Sequence, residues 1–374
     1  MSSVSNIDLR FMAAAERLAR RGLGCVWPNP SVAALIVREE EGGPVLVGRG
    51  VTSRPGMAHA EVNALRQAGE QARGATCYVT LEPCSHYGRT PPCSLALIEA
   101  GVRRVVVGML DPNPRVAGRG VKMLQDAGIE VVAGVREAAM QTLYRGFTLR
   151  QLKQRPQVFM KIAVSRDGFI GRAGEGQIRI SGPLSMRKVH GYRAEYDAIL
   201  VGSGTALADD PQLTCRLPGL ADRSPVRVII DRRARLALNS KLVQTCPDVP
   251  VWLICGNDAD PDKIDALVAA GVNVIRVPVD VDVIRPAVIL SALATRGVTR
   301  LMLEGGSRMA SSFLAADLVD DLCVVTGDIV IGKDGVPALH DLALADVLID
   351  PKFERVEAGY FGSDAYVFLR RRGA

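Results

Sequence analysis

The feature that most constrains this chain is an alternation of two patterns. Short apolar, β-branched runs recur along the sequence: "SVAALIV", "TCYVTL", "RRVVVGM" and "IEVVAGV", then "AILVG", "VRVIID", "VWLIC", "VNVIRVP", "RLMLEGG" and "LCVVTGDIVI". Between them, "AEVNALRQAGEQA", "SLALIEAG", "AGRGVKMLQDAG" and "PDKIDALVAAG" repeat apolar residues at helical spacing. A near-continuous apolar strand is one buried on both faces, so the alternation predicts α/β architecture with sheets covered by helices. The chain has 374 residues, enough for two ordinary domains. The pattern breaks at "LYRGFTLRQLKQRPQVFMKIAVS", a basic, polar stretch that ends in Pro156 before a fresh strand. A boundary between Leu149 and Gln157 gives units 1–150 and 151–374. No internal repeat is visible, so neither half duplicates the other.

Composition removes several function classes. No stretch of eighteen residues lacks polar interruption, so no membrane span is expected. The opening "MSSVSNIDLRFMAAAERLARRGLG" has helical rhythm and no apolar core of a signal peptide, which points to the cytoplasm. Eight cysteines are scattered without the density of a disulfide scaffold, so any functional cysteine should bind metal or do chemistry. The net charge of +6 lies mostly in residues 1–150, where 18 Lys and Arg face 13 Asp and Glu. Spread thinly, it suits an anionic small molecule better than a nucleic-acid backbone. Aromatic residues make up 5% and no basic run interleaves with them, so single-strand nucleic-acid binding has no direct support.

One constellation in the first half carries chemistry. His59 and Glu61 stand two residues apart at the start of a helical run. Past the strand "TCYVTL" comes "EPCSHYGRTPPC", in which Cys84 and Cys93 each follow a proline. A tetrahedral zinc takes imidazole and thiolate donors from separate elements, and a catalytic zinc keeps one position for water. His59, Cys84 and Cys93 are three such donors. Water so bound is acidic enough to furnish hydroxide near neutral pH, and Glu61 is placed to carry the proton. The competing reading is a closed structural site with His86 as fourth ligand, and iron could occupy the same set. Cys25 and Cys77 read as ordinary buried residues.

The set resembles the zinc-dependent nucleobase deaminases, whose signature is H-x-E followed by P-C-x-x-C with glutamate as proton shuttle. Eight residues separate the thiols here, so the first comes from a loop and the second opens a helix. Together "WPNPSVAALIV", "HAE", "LEPCSHYGRTPPC" and "DPNPRVAGRG" resemble the deaminase half of the bifunctional riboflavin-biosynthesis deaminase/reductases. The resemblance implies a cytidine-deaminase-like three-layer domain that hydrolytically deaminates a diaminopyrimidinone bearing a phosphoribosylamino arm. It also implies that Asn29, His86, Arg89, Asp111 and Asn113 hold the pyrimidine and its sugar phosphate. Thr52 stands where many members carry histidine, and Ala33 where they carry glycine.

The second half has no complete dinucleotide fingerprint. Gly202 closes the strand "AILVG" and Gly204 follows it, but Leu207 takes the third glycine's place; Gly305 and Gly306 form a second hinge after "RLML". Each is compatible with close approach of a phosphate and equally with a tight turn. "KIAVSRDGFI", "YDAILVGSGTALADDPQLTCR", "VIIDRRARLALNSKLV" and "LEGG" resemble the reductase half of the same family. That half has a dihydrofolate-reductase-like fold and uses NADPH to reduce the ribosyl arm to ribityl. The resemblance implies that Lys161, Ser181, Arg193, Arg216 and Glu304 line the substrate cleft. Lys161, Gly202, Thr205, Asp209, Gly305 and Gly306 would serve the cofactor, and Arg179 replaces a frequent tryptophan. Arg232, Arg233 and Arg235 read as a solvated loop. A homo-oligomer, dimer or tetramer, is also implied. The alternative is a zinc nucleobase or RNA deaminase whose second half is an inactive scaffold.

Overall fold

The computed structural model describes residues 4–87, 91–114 and 116–373, and the chain divides into two compact units, Met1–Lys153 and Gln154–Ala374. The first unit runs α1 (Asn6–Arg20), β1 (Ala33–Glu40), β2 (Gly43–Val51), α2 (Ala60–Ala68), β3 (Thr76–Val79), α3 (Cys93–Glu99), β4 (Arg104–Val107), α4 (Arg119–Asp126), β5 (Glu130–Ala133) and α5 (Glu137–Lys153). Its sheet has the order β2-β1-β3-β4-β5, antiparallel on both sides of β1 and parallel from β3 to β5.

The period of two along each strand builds three layers. Leu35, Val37, Tyr78 and Val106 pack with Met12 of α1 and Leu143 of α5. Their neighbours Ile36, Cys77, Val105 and Val107 face the opposite way, toward Ala64 of α2, Leu97 of α3 and Leu124 of α4. Helix α2 sits unusually close to β2. A Cβ on Gly50 would lie 2.1 Å from the Ala60 carbonyl oxygen, and one on Gly48 would lie 2.3 Å from that of Ala64. Only hydrogen at these positions, with alanines opposite, allows the contact.

Helix α1 begins with a capping box: Ser5 Oγ accepts from the Asp8 N–H at 3.1 Å and Asp8 accepts from the Ser5 N–H at 2.9 Å. The buried Asp8 also accepts from Arg104 at 2.6 and 3.1 Å and from the Tyr78 hydroxyl at 3.2 Å. Burial pushes its carboxyl up, but hydrogen bonds from Arg104 and Ser5 outweigh this and hold it at about 2.

Within the stretch from Leu149 to Gln157, α5 continues through the basic residues to Lys153, so the two units part between Lys153 and Gln154 rather than at 150. Leu, Arg, Gln and Lys are good helix formers, and polarity on an exposed face does not end a helix. The turn comes at Gln154, with φ at +52°, two residues before Pro156.

The second unit runs β6 (Gln157–Val164), β7 (Phe169–Arg172), α6 (Pro183–Glu195), β8 (Ala198–Gly202), α7 (Ser203–Asp209), β9 (Val226–Ile230), α8 (Lys241–Gln244) and β10 (Val251–Gly256). It continues with α9 (Pro261–Ala269), β11 (Asn273–Val277), α10 (Pro286–Thr295), β12 (Arg300–Leu303), α11 (Ser307–Ala315), β13 (Asp321–Thr326), β14 (Gly335–Pro337), α12 (Leu344–Ile349), β15 (Phe353–Phe361) and β16 (Asp364–Arg371). The main sheet has the order β11-β10-β9-β8-β12-β6-β13-β16-β15. It is parallel from β11 to β13, and β16 and β15 add an antiparallel hairpin. Phe159, Ile199, Ile229, Leu253 and Met302 share one core face, and the intervening Met160, Leu200, Val228, Ile254 and Leu301 are buried too. A parallel sheet covered on both faces has this burial.

Strand β8 leads through α7 to β9 on one side, whereas its neighbour β12 leads through α11 to β13 on the other. The carboxyl ends of β8 and β12 therefore form a topological switch point, where parallel sheets open a crevice.

Candidate functional site: a metal centre and a reductase cleft

Three donors converge in the first unit. His59 is the N-cap of α2, Cys84 lies on the loop after β3, and Cys93 is the first residue of α3, behind Pro92. Their ligand atoms all lie within 4.8 Å of one another. Cys93 Sγ is 3.3 Å and Cys84 Sγ 3.7 Å from His59 Nδ1. Tetrahedral zinc with ordinary bond lengths sets N and S about 3.5 Å apart, so the donors fit that ion in kind and in spacing. His86 could have completed the set but is exposed and stands outside the converging group.

The local charges suit a cation. Cys84 also accepts the Cys93 backbone N–H at 3.3 Å. The hydrogen bond from the Cys93 thiol, resisted by burial and helped by His59, draws the Cys84 thiol down to about 4. The same shared proton pushes Cys93 far up. A metal ion would displace that proton and bind both sulfurs as thiolates. Beside them Glu61, on the first turn of α2, is 4% exposed, and burial pushes its carboxyl up to about 7. A buried carboxyl poised near neutrality, against the donor set, can both accept and release a proton.

Of the other expected residues of the first unit, Asn29 lies half-buried in the turn before β1, its N–H donating to the Val26 carbonyl at 3.1 Å. Asp111 and Asn113 follow β4, with Asp111 Oδ1 accepting the Asn113 N–H at 2.8 Å. Burial raises the Asp111 carboxyl, and the hydrogen bond from the Asn113 N–H works against that shift. Arg89 lies outside the described residues. Thr52 is engaged inside the fold, its hydroxyl accepting the Val32 N–H at 3.0 Å. Sequence reasoning passed over Glu82, whose buried carboxylate accepts four backbone N–H groups from residues 111–121. The only signal was an acid directly after an apolar strand.

In the second unit, Arg193 of α6 and Glu304 after β12 pair at 2.8 Å. Burial raises the Glu304 carboxyl, but the charge and hydrogen bonds of Arg193 hold it below the usual range. Lys161 of β6 is pushed down by burial, with the Glu304 charge opposing and that of Arg193 adding. Arg193 Nη1 also donates to the Thr214 carbonyl at 3.1 Å. The Arg216 side chain is exposed, and its backbone N–H donates to His190 Nδ1 at 3.2 Å. Burial and the charge of Arg193 lower the Arg216 guanidinium. His190 was not anticipated.

The two glycine hinges meet. Gly202 is the N-cap of α7 and Gly306 that of α11, and a Cβ on Gly306 would lie 3.2 Å from Thr205 Oγ1. Gly305 is equally crowded, by Met309 at 2.9 Å. Asp209 closes α7 half-buried, its carboxyl raised by burial. Ser181 is 5% exposed with its hydroxyl unpartnered among the described residues, and an orphaned buried donor is what a ligand would satisfy. Asp364 accepts from the Gly182 N–H at 2.7 Å and Ser185 Oγ at 2.5 Å, a contact across 182 residues that no local pattern announces. Arg232 is paired with Asp258 and Asp282, each at 2.7 Å, and Arg235 reaches Ser203 Oγ at 2.7 Å.

Residues 5–109 match the cytidine and deoxycytidylate deaminase zinc-binding region, and residues 156–366 match the RibD C-terminal domain. The chain is 37% identical over 378 residues to riboflavin biosynthesis protein RibD of Escherichia coli, covering 97% of this chain and 99% of that protein. It is 39% identical over 329 residues to the protein of the same name from Bacillus amyloliquefaciens, covering 88% and 86%. Among solved structures it resembles RibD of Acinetobacter baumannii, with TM-score 0.84, 34% identity and coverage of 97% and 98%. It also resembles the diaminohydroxyphosphoribosylaminopyrimidine deaminase/5-amino-6-(5-phosphoribosylamino)uracil reductase of Thermotoga maritima, with TM-score 0.83, 36% identity and coverage of 98% and 99%.

Proposed function

The chain belongs to the RibD family of riboflavin-biosynthesis proteins, and from that premise we propose which residues carry its two reactions. It is a bifunctional enzyme, a zinc-dependent deaminase joined to an NADPH-dependent reductase. The first unit removes an amino group hydrolytically from the diaminohydroxyphosphoribosylaminopyrimidine. The second reduces the ribosyl arm of the resulting uracil derivative. The observation that carries this is the three-donor set beside a buried acid: His59, Cys84 and Cys93 converge, His86 stays out, and Glu61 lies against the sulfurs.

When bound, zinc supplies Lewis acidity that makes water a nucleophile near neutral pH. His59, Cys84 and Cys93 would hold it. Glu61 takes a proton from the attacking water and delivers it to the departing amino group, which leaves as ammonia. Asn29, His86, Asp111 and Asn113 orient the ring, and the Arg89 guanidinium meets the sugar phosphate.

NADPH, when bound, would supply the hydride that reduces the sugar's C1, the C1–ring-oxygen bond opening and a solvent proton going to that oxygen. Gly202, Thr205, Gly305 and Gly306 would hold its phosphates where the hinges meet, and Asp209 would serve its sugar or nicotinamide. Lys161, Ser181, Arg193 and Arg216 hold the substrate, with Glu304 keeping Arg193 aligned. The match of residues 156–366 to the reductase family weighs against an inactive scaffold. Among the described residues no helix is long and apolar enough to cross a membrane. A cytoplasmic address and a homo-oligomer formed through the second unit complete the proposal, the exposed edge strand β15 offering a surface.

His59→Ala tests the assignment. It should lose zinc and ammonia release while oxidising NADPH normally with the deaminated substrate. Ammonia release near the wild-type rate would overturn it.

A further inference from the structure

Glu82 stands two residues before Cys84, and its carboxylate is buried. Among the described residues no lysine or arginine pairs with it. Instead it collects backbone N–H groups from a distant segment. One oxygen accepts from Asp111 at 3.1 Å and Gly118 at 2.9 Å, the other from Gly120 at 2.8 Å and Val121 at 3.3 Å. Its own N–H donates to the Met109 carbonyl at 2.9 Å. A buried charge is tolerated only where such donors surround it, and hydrogen bonds to an ionised acceptor are the strong kind.

The segment so held is the one that carries Asp111 and Asn113. Asp111 in turn fixes Asn113 through its N–H. The contact is close as well as polar: a Cβ on Gly120 would lie 2.0 Å from the Pro83 carbonyl oxygen, so the start of α4 rests directly on the chain between Glu82 and Cys84. Gly118, at φ +80°, supplies the left-handed turn that brings successive N–H groups to one carboxylate. One side chain thus ties the loop bearing a metal donor to the loop bearing two ring-holding groups.

We propose that Glu82 is a positioning residue of the deaminase: it fixes Asp111 and Asn113 relative to Cys84, and so sets where the pyrimidine lies relative to the hydrolytic centre. This rests on the proposal that Asp111 and Asn113 hold the substrate. Glu82 touches neither substrate nor metal and acts through the loop.

The test uses the full-length, zinc-loaded protein and three variants. Glu82→Gln keeps the shape but turns an amide NH2 toward two of the four donors. Glu82→Asp keeps the charge and retracts it by one methylene, which guards against a misfolded glutamine variant. Asn113→Ala removes a ring contact while leaving the tether. Hydrogen exchange should rise about tenfold or more in residues 110–121 of either Glu82 variant, with the second unit unchanged and zinc content retained. The deaminase KM should rise about tenfold, with a smaller fall in kcat and normal NADPH oxidation. Unchanged exchange in residues 110–121 would overturn the proposal. So would faster exchange with an unaltered KM, if Asn113→Ala itself raises KM. Should Asn113→Ala leave KM unmoved, the substrate assignment fails instead, and exchange alone decides the tether.

Discussion

Arg193 grips Glu304 at two points, Nε on one carboxylate oxygen at 3.1 Å and Nη2 on the other at 2.8 Å, across 111 residues of sequence. The pair holds a guanidinium rigidly beside Lys161, in a region where cations would otherwise repel one another. Glu304→Gln removes the charge and keeps the shape. NADPH oxidation with the deaminated substrate should fall by about 10- to 100-fold in kcat/KM, the worth of hydrogen bonds to a charged group, while ammonia release is unchanged. Steady-state rates of both half-reactions check this.

Gly50→Ala should act on the metal centre from a distance. The added methyl would meet the Ala60 carbonyl oxygen and push the first turn of α2 off the sheet, taking His59 and Glu61 with it. We expect zinc stoichiometry and ammonia release to fall together, with reductase rates retained. Metal analysis of the purified variant is the measurement.

How much of this could be read from sequence depended on the range of the interaction. Strands such as Ala198–Gly202 and Arg300–Leu303 were legible because burial on both faces writes an apolar run. Strand β2 was not, because "GPVLVGRGV" gives its small residues to helix contact and its apolar ones partly to solvent. The hairpin of β15 and β16 escaped for a related reason: it sits at a sheet edge with an exposed outer strand. The zinc donors were legible because their chemistry restricts residue type. Glu82, His190 and Asp364 were not, since each binds backbone groups that any sequence supplies.

Acid should loosen the first unit through Asp8. Its carboxyl sits at about 2 in the folded chain and near its ordinary 3.8 when unfolded. The folded form therefore binds that proton less readily. The resulting stabilisation is fully present from about pH 5 upward and is lost as pH falls through 3.8 toward 2, by about 2 kcal/mol in all. Denaturant melts of wild type and Asp8→Asn at several pH values should converge at the acid end; a constant gap between them would contradict this.

Metal removal should separate the two activities. Chelation, or Cys93→Ser, should abolish ammonia release and leave NADPH oxidation with the deaminated substrate intact, because Lys161, Arg193 and Glu304 belong to the second unit. Adding zinc back to the chelated wild type should restore deamination. It should fail to do so in Cys93→Ser at comparable metal concentration.

The most direct test is Glu61→Gln in the zinc-loaded protein, with ammonia release and NADPH consumption followed in one reaction on the diaminopyrimidine substrate. The amide keeps the size of Glu61 and cannot carry a proton. Ammonia release should drop by about 10²- to 10⁴-fold, NADPH consumption should stall for want of substrate, and adding the deaminated compound should restart it. Ammonia release near the wild-type rate with zinc still bound would contradict the assignment of Glu61 as the proton carrier.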